Sequence, residues 1–305
     1  WDLYKGEWLA PHGWNGAVER RAEGYHTAVW REGLLTPDAC WATESLTRAN
    51  RARALLGEVL KDHTLPEMAA RDLLQARSYA WPTQSVVARN RHSESAMCPW
   101  GCPCKETFSH MQMSCPQFRV QEGRTAAHHL VAERLMTRLS AVIPGAACFY
   151  DRSLAWLYDN GHLEGAPPPP YLRDFRPDGM VIDPRRKRAY VLEFSRGMQE
   201  DPEAWLLKDD VKTQAYHGVV VHLTTAYGSQ GYEVGQYNFL MGVLCSIEED
   251  RWDRQLEGLG VPTRQHRSVK LGCIRAGVEA LHFVCNCRRS AMETLRGGAS
   301  ARSGE

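Results

Sequence analysis

Arg176-Pro177-Asp178-Gly179-Met180-Val181-Ile182-Asp183-Pro184-Arg185-Arg186-Lys187-Arg188-Ala189-Tyr190-Val191-Leu192-Glu193-Phe194 is the stretch on which the fold turns. Residues 179–182 and 189–194 are short apolar runs rich in β-branched and aromatic side chains, and the polar segment 183–188 joins them, so they read as two neighbouring strands. Just beyond, Asp201-Pro202-Glu203 sets an N-cap carboxylate before a proline at the first helical position, which predicts a helix reaching about His217. Gly218-Val219-Val220-Val221-His222-Leu223 then reads as a buried strand. Strand, strand, helix, strand predicts an α/β domain with a mixed sheet flanked by helices.

Upstream of the sheet the pattern is helical. Thr36-Pro37-Asp38 is a helix start, and a second helix is expected over about residues 66–78, with Leu65 just before it and Met68, Ala69, Leu73 and Leu74 within it on one face. Trp81-Pro82-Thr83 breaks the chain and residues 84–89 resume a helix. Leu130, Val131, Leu135, Met136 and Leu139 predict a helix over 124–141, and the four prolines within 165–170 predict an extended linker. Residues 1–35 show no periodicity, the pattern weakens beyond Arg264, and the small polar residues from Gly297 onward read as a disordered tail.

With 305 residues, the chain is long enough for a substantial core, and its 43% hydrophobic and 24% charged content is ordinary for a globular protein. The net charge of +1 excludes a global basic field, so any nucleic-acid contact must come from local patches. No apolar run approaches the roughly 20 residues of a membrane span, so no membrane partner is expected. A chain that opens on Trp1 is expected to be a piece of a longer protein.

Ten cysteines in this length are too sparse for a disulfide scaffold. Cys98, Cys102, His110 and Cys115 instead form Cys-x3-Cys-x7-His-x4-Cys, a donor set suited to structural tetrahedral Zn²⁺, with Gly101 allowing a tight turn between the first two. Cys104 is a rival to Cys102 and reads as a spare; the competing view is a set of incidental cysteines with His110 on a helix surface. Cys40, Cys148, Cys245 and Cys273 read as buried thiols, and Cys285 and Cys287 receive no role. Arg71, Arg77, Arg89 and Arg91, against Asp72 alone, make the approach to the cluster basic; the alternative is a solvated helix face.

Asp178 and Glu193 are separated by 14 residues with a turn between, so adjacent strands can bring both carboxylates to one point. Two such oxygen donors suit Mg²⁺, and a carboxylate inside Tyr190-Val191-Leu192-Glu193-Phe194 needs a partner or a metal. Lys208, Lys212 and Tyr216 share a helix face at i, i+4 and i+8, with Trp205, Val211 and Ala215 expected to pack that helix onto the sheet. The competing reading of the lysines is an exposed basic stripe.

These features together resemble the C-terminal part of non-LTR retrotransposon polyproteins that carry a zinc knuckle and a restriction-enzyme-like endonuclease, many of them inserting into ribosomal RNA genes. The resemblance rests on Ala76-Arg77-Ser78-Tyr79-Ala80-Trp81-Pro82-Thr83 with Ala88-Arg89-Asn90-Arg91, on the cysteine–histidine set with Glu106-Thr107 and Cys115-Pro116, on Arg176-Pro177-Asp178 with Glu193, and on Lys208, Lys212 and Tyr216, and it covers about residues 65–225. It implies a restriction-endonuclease-like core at 123–263, preceded by a basic segment and knuckle at 65–122. A region at 1–64 would lie downstream of an absent reverse transcriptase, and 264–305 would be a C-terminal extension. It implies catalysis by Asp178, Glu193 and either Lys208 or Lys212, nucleic-acid contacts by Arg77, Arg89, Arg91, Arg176 and Tyr216, target DNA and element RNA as partners, and a nuclear location. Ordinary nucleases of this fold carry a lysine two residues after the second carboxylate, where this chain has Ser195; the family uses a displaced helix lysine. The rival hypothesis is a catalytically inactive, zinc-containing nucleic-acid-binding module, for which the near-neutral charge and Ser195 speak.

Overall fold

The computed structural model describes residues 53–77, 81–91, 95–197, 202–228 and 230–302. Helices α1 (Arg53–Lys61), α2 (Glu67–Arg77), α3 (Gln84–Arg91), α4 (Phe108–Met113) and α5 (Phe118–Val142) come first. Strand β1 (Ala147–Tyr150), helices α6 (Leu154–Asp159) and α7 (Pro170–Arg173), strands β2 (Gly179–Asp183) and β3 (Arg188–Gly197), helix α8 (Pro202–Gly228) and strand β4 (Glu233–Gly242) follow. Helices α9 (Glu249–Gly258) and α10 (Thr263–Arg302) complete the order. The expected start at Thr36-Pro37-Asp38, residues 1–35 and Cys40 lie outside the described residues.

The sheet runs β1-β2-β3-β4, antiparallel except for the parallel β3–β4 pair, so it is mixed as expected. Because side chains alternate across a strand, its two faces build two cores. Val181, Tyr190, Leu192, Phe194, Phe239 and Met241 face α5, α9 and α10, while Met180, Ile182 and Val191 face α6 and α8. The first cluster extends from Leu55 on α1 to Cys285 on α10. Gly179 permits the close approach of β2 to α5, since a Cβ there would stand 2.2 Å from Met136 Sδ.

Three expectations are corrected. Residues 218–223 are not a strand: α8 continues through them to Gly228, and the fourth strand is Glu233–Gly242. Tyr216, Val219, Leu223 and Tyr227 are buried while Val221 is 48% exposed, a one-sided stripe with helical spacing that the short apolar run disguised. The weak pattern beyond Arg264 is a 40-residue helix, α10, and it continues through Gly297 to Arg302 where a disordered tail was expected. Its Val269, Cys273, Ile274, Val278, Leu281 and Cys285 are buried, so tertiary packing on α5, α2 and α1 sustains it. Met68 stands 41% exposed although the expected α2 face included it; Asp72 and Ala76 take buried positions instead.

Candidate active site and cysteine cluster

Gly179 pairs with Leu192, and one further step of that antiparallel register sets Asp178 opposite Glu193 on the α8 face. On the other side of β3, Glu193 pairs with Asn238. The two carboxylates and the His128 imidazole offer atoms that all lie within 4.8 Å of one another.

Asp178 is held from the α5 side. Its Oδ2 accepts from the Phe194 amide at 2.8 Å and lies 3.2 Å from His128 Nε2, which is also 2.9 Å from the Phe194 carbonyl oxygen. A carbonyl oxygen only accepts, so His128 Nε2 carries a proton and serves Asp178 as a donor rather than offering that nitrogen to a metal. Burial works against ionised Asp178, but the hydrogen bond and charge of His128 and the Phe194 amide outweigh it and hold the carboxyl below its usual range. Burial likewise opposes charge on His128, and Asp178 with the Phe194 carbonyl reverses the balance, so its pKa is raised.

Glu193 is held from the α8 side, at 2% exposure. Lys212 Nζ donates to its Oε1 and the Tyr216 hydroxyl to its Oε2. Burial pushes the Glu193 carboxyl up and the charge of Asp178 pushes it the same way; Lys212 and Tyr216 offset only part. Burial and then the Glu193 charge raise Tyr216, which keeps its hydroxyl a donor.

Lys212 and Tyr216 therefore converge on Glu193, whereas the Lys208 side chain lies outside the described residues. Val211 (54% exposed) and Ala215 do not pack α8 onto the sheet, contrary to expectation, and Trp205 lies outside the described side chains. Polar groups of β4 fix that half of the helix: Asn238 Nδ2 donates to Asp209 Oδ1 at 2.8 Å and Thr213 Oγ1 at 3.0 Å, and Gln236 Nε2 donates to the Lys212 carbonyl at 3.2 Å. Asp209 is also paired with Arg251 at 2.6 Å. Ser195 is buried two residues past Glu193 on β3.

The cysteine–histidine set comes together as the spacing implied. Cys98, Cys102, His110 and Cys115 present donor atoms within 4.8 Å of one another, which makes a candidate metal-binding cluster. Gly101 takes φ +79°, the left-handed turn between the first two cysteines. Thr107 Oγ1 accepts from the His110 amide at 3.0 Å and caps α4, which fixes the imidazole's helix. Cys98 and Cys115 sulfurs lie 4.0 Å apart, and burial beside neighbouring thiols pushes Cys115 up to about 12. Cys104 stays exposed, with Sγ 3.4 Å from His110 Nδ1 at the rim.

The cluster is docked by a buried ion pair that the sequence did not disclose. Glu106 is fully buried; Arg288 of α10 donates to both its oxygens at 3.0 and 2.7 Å, and the Gln84 amide donates at 2.7 Å. Of the expected nucleic-acid contacts, Arg176 is exposed beside Asp178. Arg77 is half-buried and donates to the Leu244 carbonyl at 3.1 Å, which ties α2 to the segment after β4. The side chains of Arg89 and Arg91 lie outside the described residues. Cys245, Cys273 and Cys285 are buried thiols, while Cys148 and Cys287 are half-buried.

His128 and the Glu106–Arg288 pair are the functional-region residues that sequence reading missed. His128 lies 50 positions before Asp178 on a helix whose pattern marks only its apolar stripe, so nothing local connects the two. Among the described residues no helix is long and apolar enough to cross a membrane. Comparison with protein-family models and with curated proteins yields no match.

Proposed function

We propose that this chain is the metal-dependent DNA endonuclease part of a retrotransposon polyprotein. It nicks a target strand in the nucleus so that the freed 3′ hydroxyl primes reverse transcription by the polymerase encoded elsewhere in the parent protein. The core is of the restriction-endonuclease type, and the cysteine–histidine cluster is a structural zinc knuckle that helps hold target DNA or element RNA. The observation that carries this reading is the convergence of Asp178 from the loop before β2, Glu193 from β3, and Lys212 and Tyr216 from α8 on one point.

The donor set fits a hard divalent cation. Two carboxylates stand side by side with burial and mutual repulsion raising one of them, a cost that a cation between them relieves. A magnesium ion bound there would neutralise phosphate charge and acidify a water. Asp178, ionised at neutral pH, provides the ready ligand, and His128 fixes its direction. Tyr216 orients Glu193 from below. Lys212, with 34% of its side chain exposed, keeps an ammonium at the mouth of the site where a scissile phosphate would approach.

Supercoiled plasmid with and without magnesium tests the reading. The chain should convert it to nicked circles only with the metal, and Asp178→Ala or Glu193→Ala should abolish nicking while leaving DNA binding nearly intact, because phosphate contacts lie elsewhere. Wild-type nicking rates in either variant would remove this site. Binding without any metal-dependent nicking would favour the inactive module.

A further inference from the structure

Phe149 on β1, Trp156 on α6 and His162 in the following loop form an aromatic cluster. The ring centroids of Phe149 and His162 lie 4.5 Å apart, and those of Trp156 and His162 lie 5.3 Å apart at 31°. The Arg152 guanidinium stands 4.8 Å from the Trp156 ring centroid. Trp156 is 36% exposed, and Arg152 and His162 are exposed. The core does not call for this tryptophan outside, since α6 is already anchored by Leu154 and Leu157, both at 0% exposure.

The cluster shares a sheet face with the carboxylates. Phe149 pairs with Met180, two residues from Asp178, so strand alternation directs all three to one side. Where β1 ends, the Asp151 amide donates to the Asp178 carbonyl at 3.3 Å. Asp151 itself takes φ +46°, a conformation that non-glycine residues seldom adopt, and this turn swings Arg152 and α6 out beside the start of β2. The Leu154 amide then bonds the Phe175 carbonyl at 3.1 Å, next to exposed Arg176.

We propose that Trp156, backed by His162 and flanked by Arg152, is a stacking platform for an unpaired base of the DNA strand beside the scissile phosphate. Its location rests on the endonuclease reading, but base stacking is measurable without cleavage. Arg152 over the indole and the tilted His162 ring beside it make a half-exposed stack that a base can extend, since bases stack on aromatic rings and on guanidinium groups alike and every base has such a face. A base reaches a single ring only outside the duplex stack, so the bound nucleotide is unpaired.

Anisotropy titrations with a fluorescein-labelled dA 15-mer and an abasic 15-mer, without added magnesium, test this. Wild type should prefer dA. Trp156→Ala should lower dA affinity roughly 5- to 100-fold, the loss of about one stacked base, with abasic affinity unchanged. Trp156→Phe should retain most of the preference, and Arg152→Ala should weaken both oligomers. Circular dichroism and melting of each variant report on the fold. Equal loss on both oligomers, or a dA affinity within about twofold of wild type in Trp156→Ala, overturns the platform. A larger Trp156-dependent preference for an rA 15-mer overturns the assignment to DNA. Because no arm uses cleavage, a protein that fails to nick plasmid but shows this pattern loses the endonuclease reading and keeps the platform.

Discussion

Arg288→Ala should unfasten the cysteine–histidine cluster from the rest of the molecule. Glu106 lies between Cys104 and His110 with no exposed surface, and Arg288 supplies two of its three hydrogen bonds while stacking 5.4 Å from the Trp81 centroid. Removing the arginine leaves a buried carboxylate with one backbone amide, a situation that costs about 3–5 kcal/mol. Whole domains have only roughly 5–15 kcal/mol of stability, so the loss is a large fraction and should lower the melting temperature by on the order of 10 °C. Denaturant unfolding and calorimetry measure it, and a zinc-chelator competition on the same variant should show weaker metal retention because Glu106 sits inside the ligand loop. The double variant Glu106→Leu with Arg288→Met should recover most of the stability, since an apolar pair of similar volume often replaces a buried ion pair at little cost. A loss under about 1 kcal/mol for Arg288→Ala, or a double variant no better than the single, would refute the reasoning.

Cys115→Ser should abolish the zinc binding proposed for the cluster and unfold residues 98–115, because structural zinc contributes about 10 kcal/mol or more of local folding energy; Cys104→Ser should still take up stoichiometric zinc in an elemental assay. Glu193 is raised, so its ionised form costs stability that is regained as pH falls through its elevated range; magnesium should therefore raise the melting temperature at pH 8 more than at pH 5, and nicking should fall off on the acid side above the ordinary carboxylate range. An equal magnesium shift at both pH values would contradict this. In single-turnover nicking at saturating magnesium, Lys212→Ala should lose on the order of 100-fold and Lys208→Ala much less; a reversed order would show that Lys212 serves only as a counter-charge to Glu193.

The parts of the site that were legible depend on local periods. A two-residue alternation carried Asp178 and Glu193 to one face, and a 3.6-residue repeat carried Lys212 and Tyr216 to one side of α8. What stayed hidden depends on tertiary packing. Tyr216, Val219, Leu223 and Tyr227 spread their burial over three turns, so the dense valine run among them imitated a strand. Strand β4 carries Gly235, Gln236 and Asn238 before its buried end, and the polar side chains grip α8 instead of filling a core. Helix α10 mixes Gly272, Gly277 and several arginines into its length, and its packing on α5, α2 and α1 explains its persistence.

The sandwiching of the sheet also explains why the two carboxylates are unlike. Asp178 ends the loop before β2 at the rim of the sheet, where a histidine from the α5 layer can reach round and donate to it. Glu193 lies within β3, under α8, and is served by a lysine and a tyrosine from that layer. One acid is thus held ionised by a donor from one face, while the other is buried beside that charge and raised. A pair matched in environment would either share a proton or repel equally. This pair sets a carboxyl held below its ordinary range beside one raised above it, so a cation bound between them, as proposed, would relieve the repulsion that helps to raise Glu193. Removing the contribution from the α5 layer should narrow that difference: His128→Ala should raise Asp178 towards Glu193, and the proposed metal would then compete with protons at both acids rather than at one.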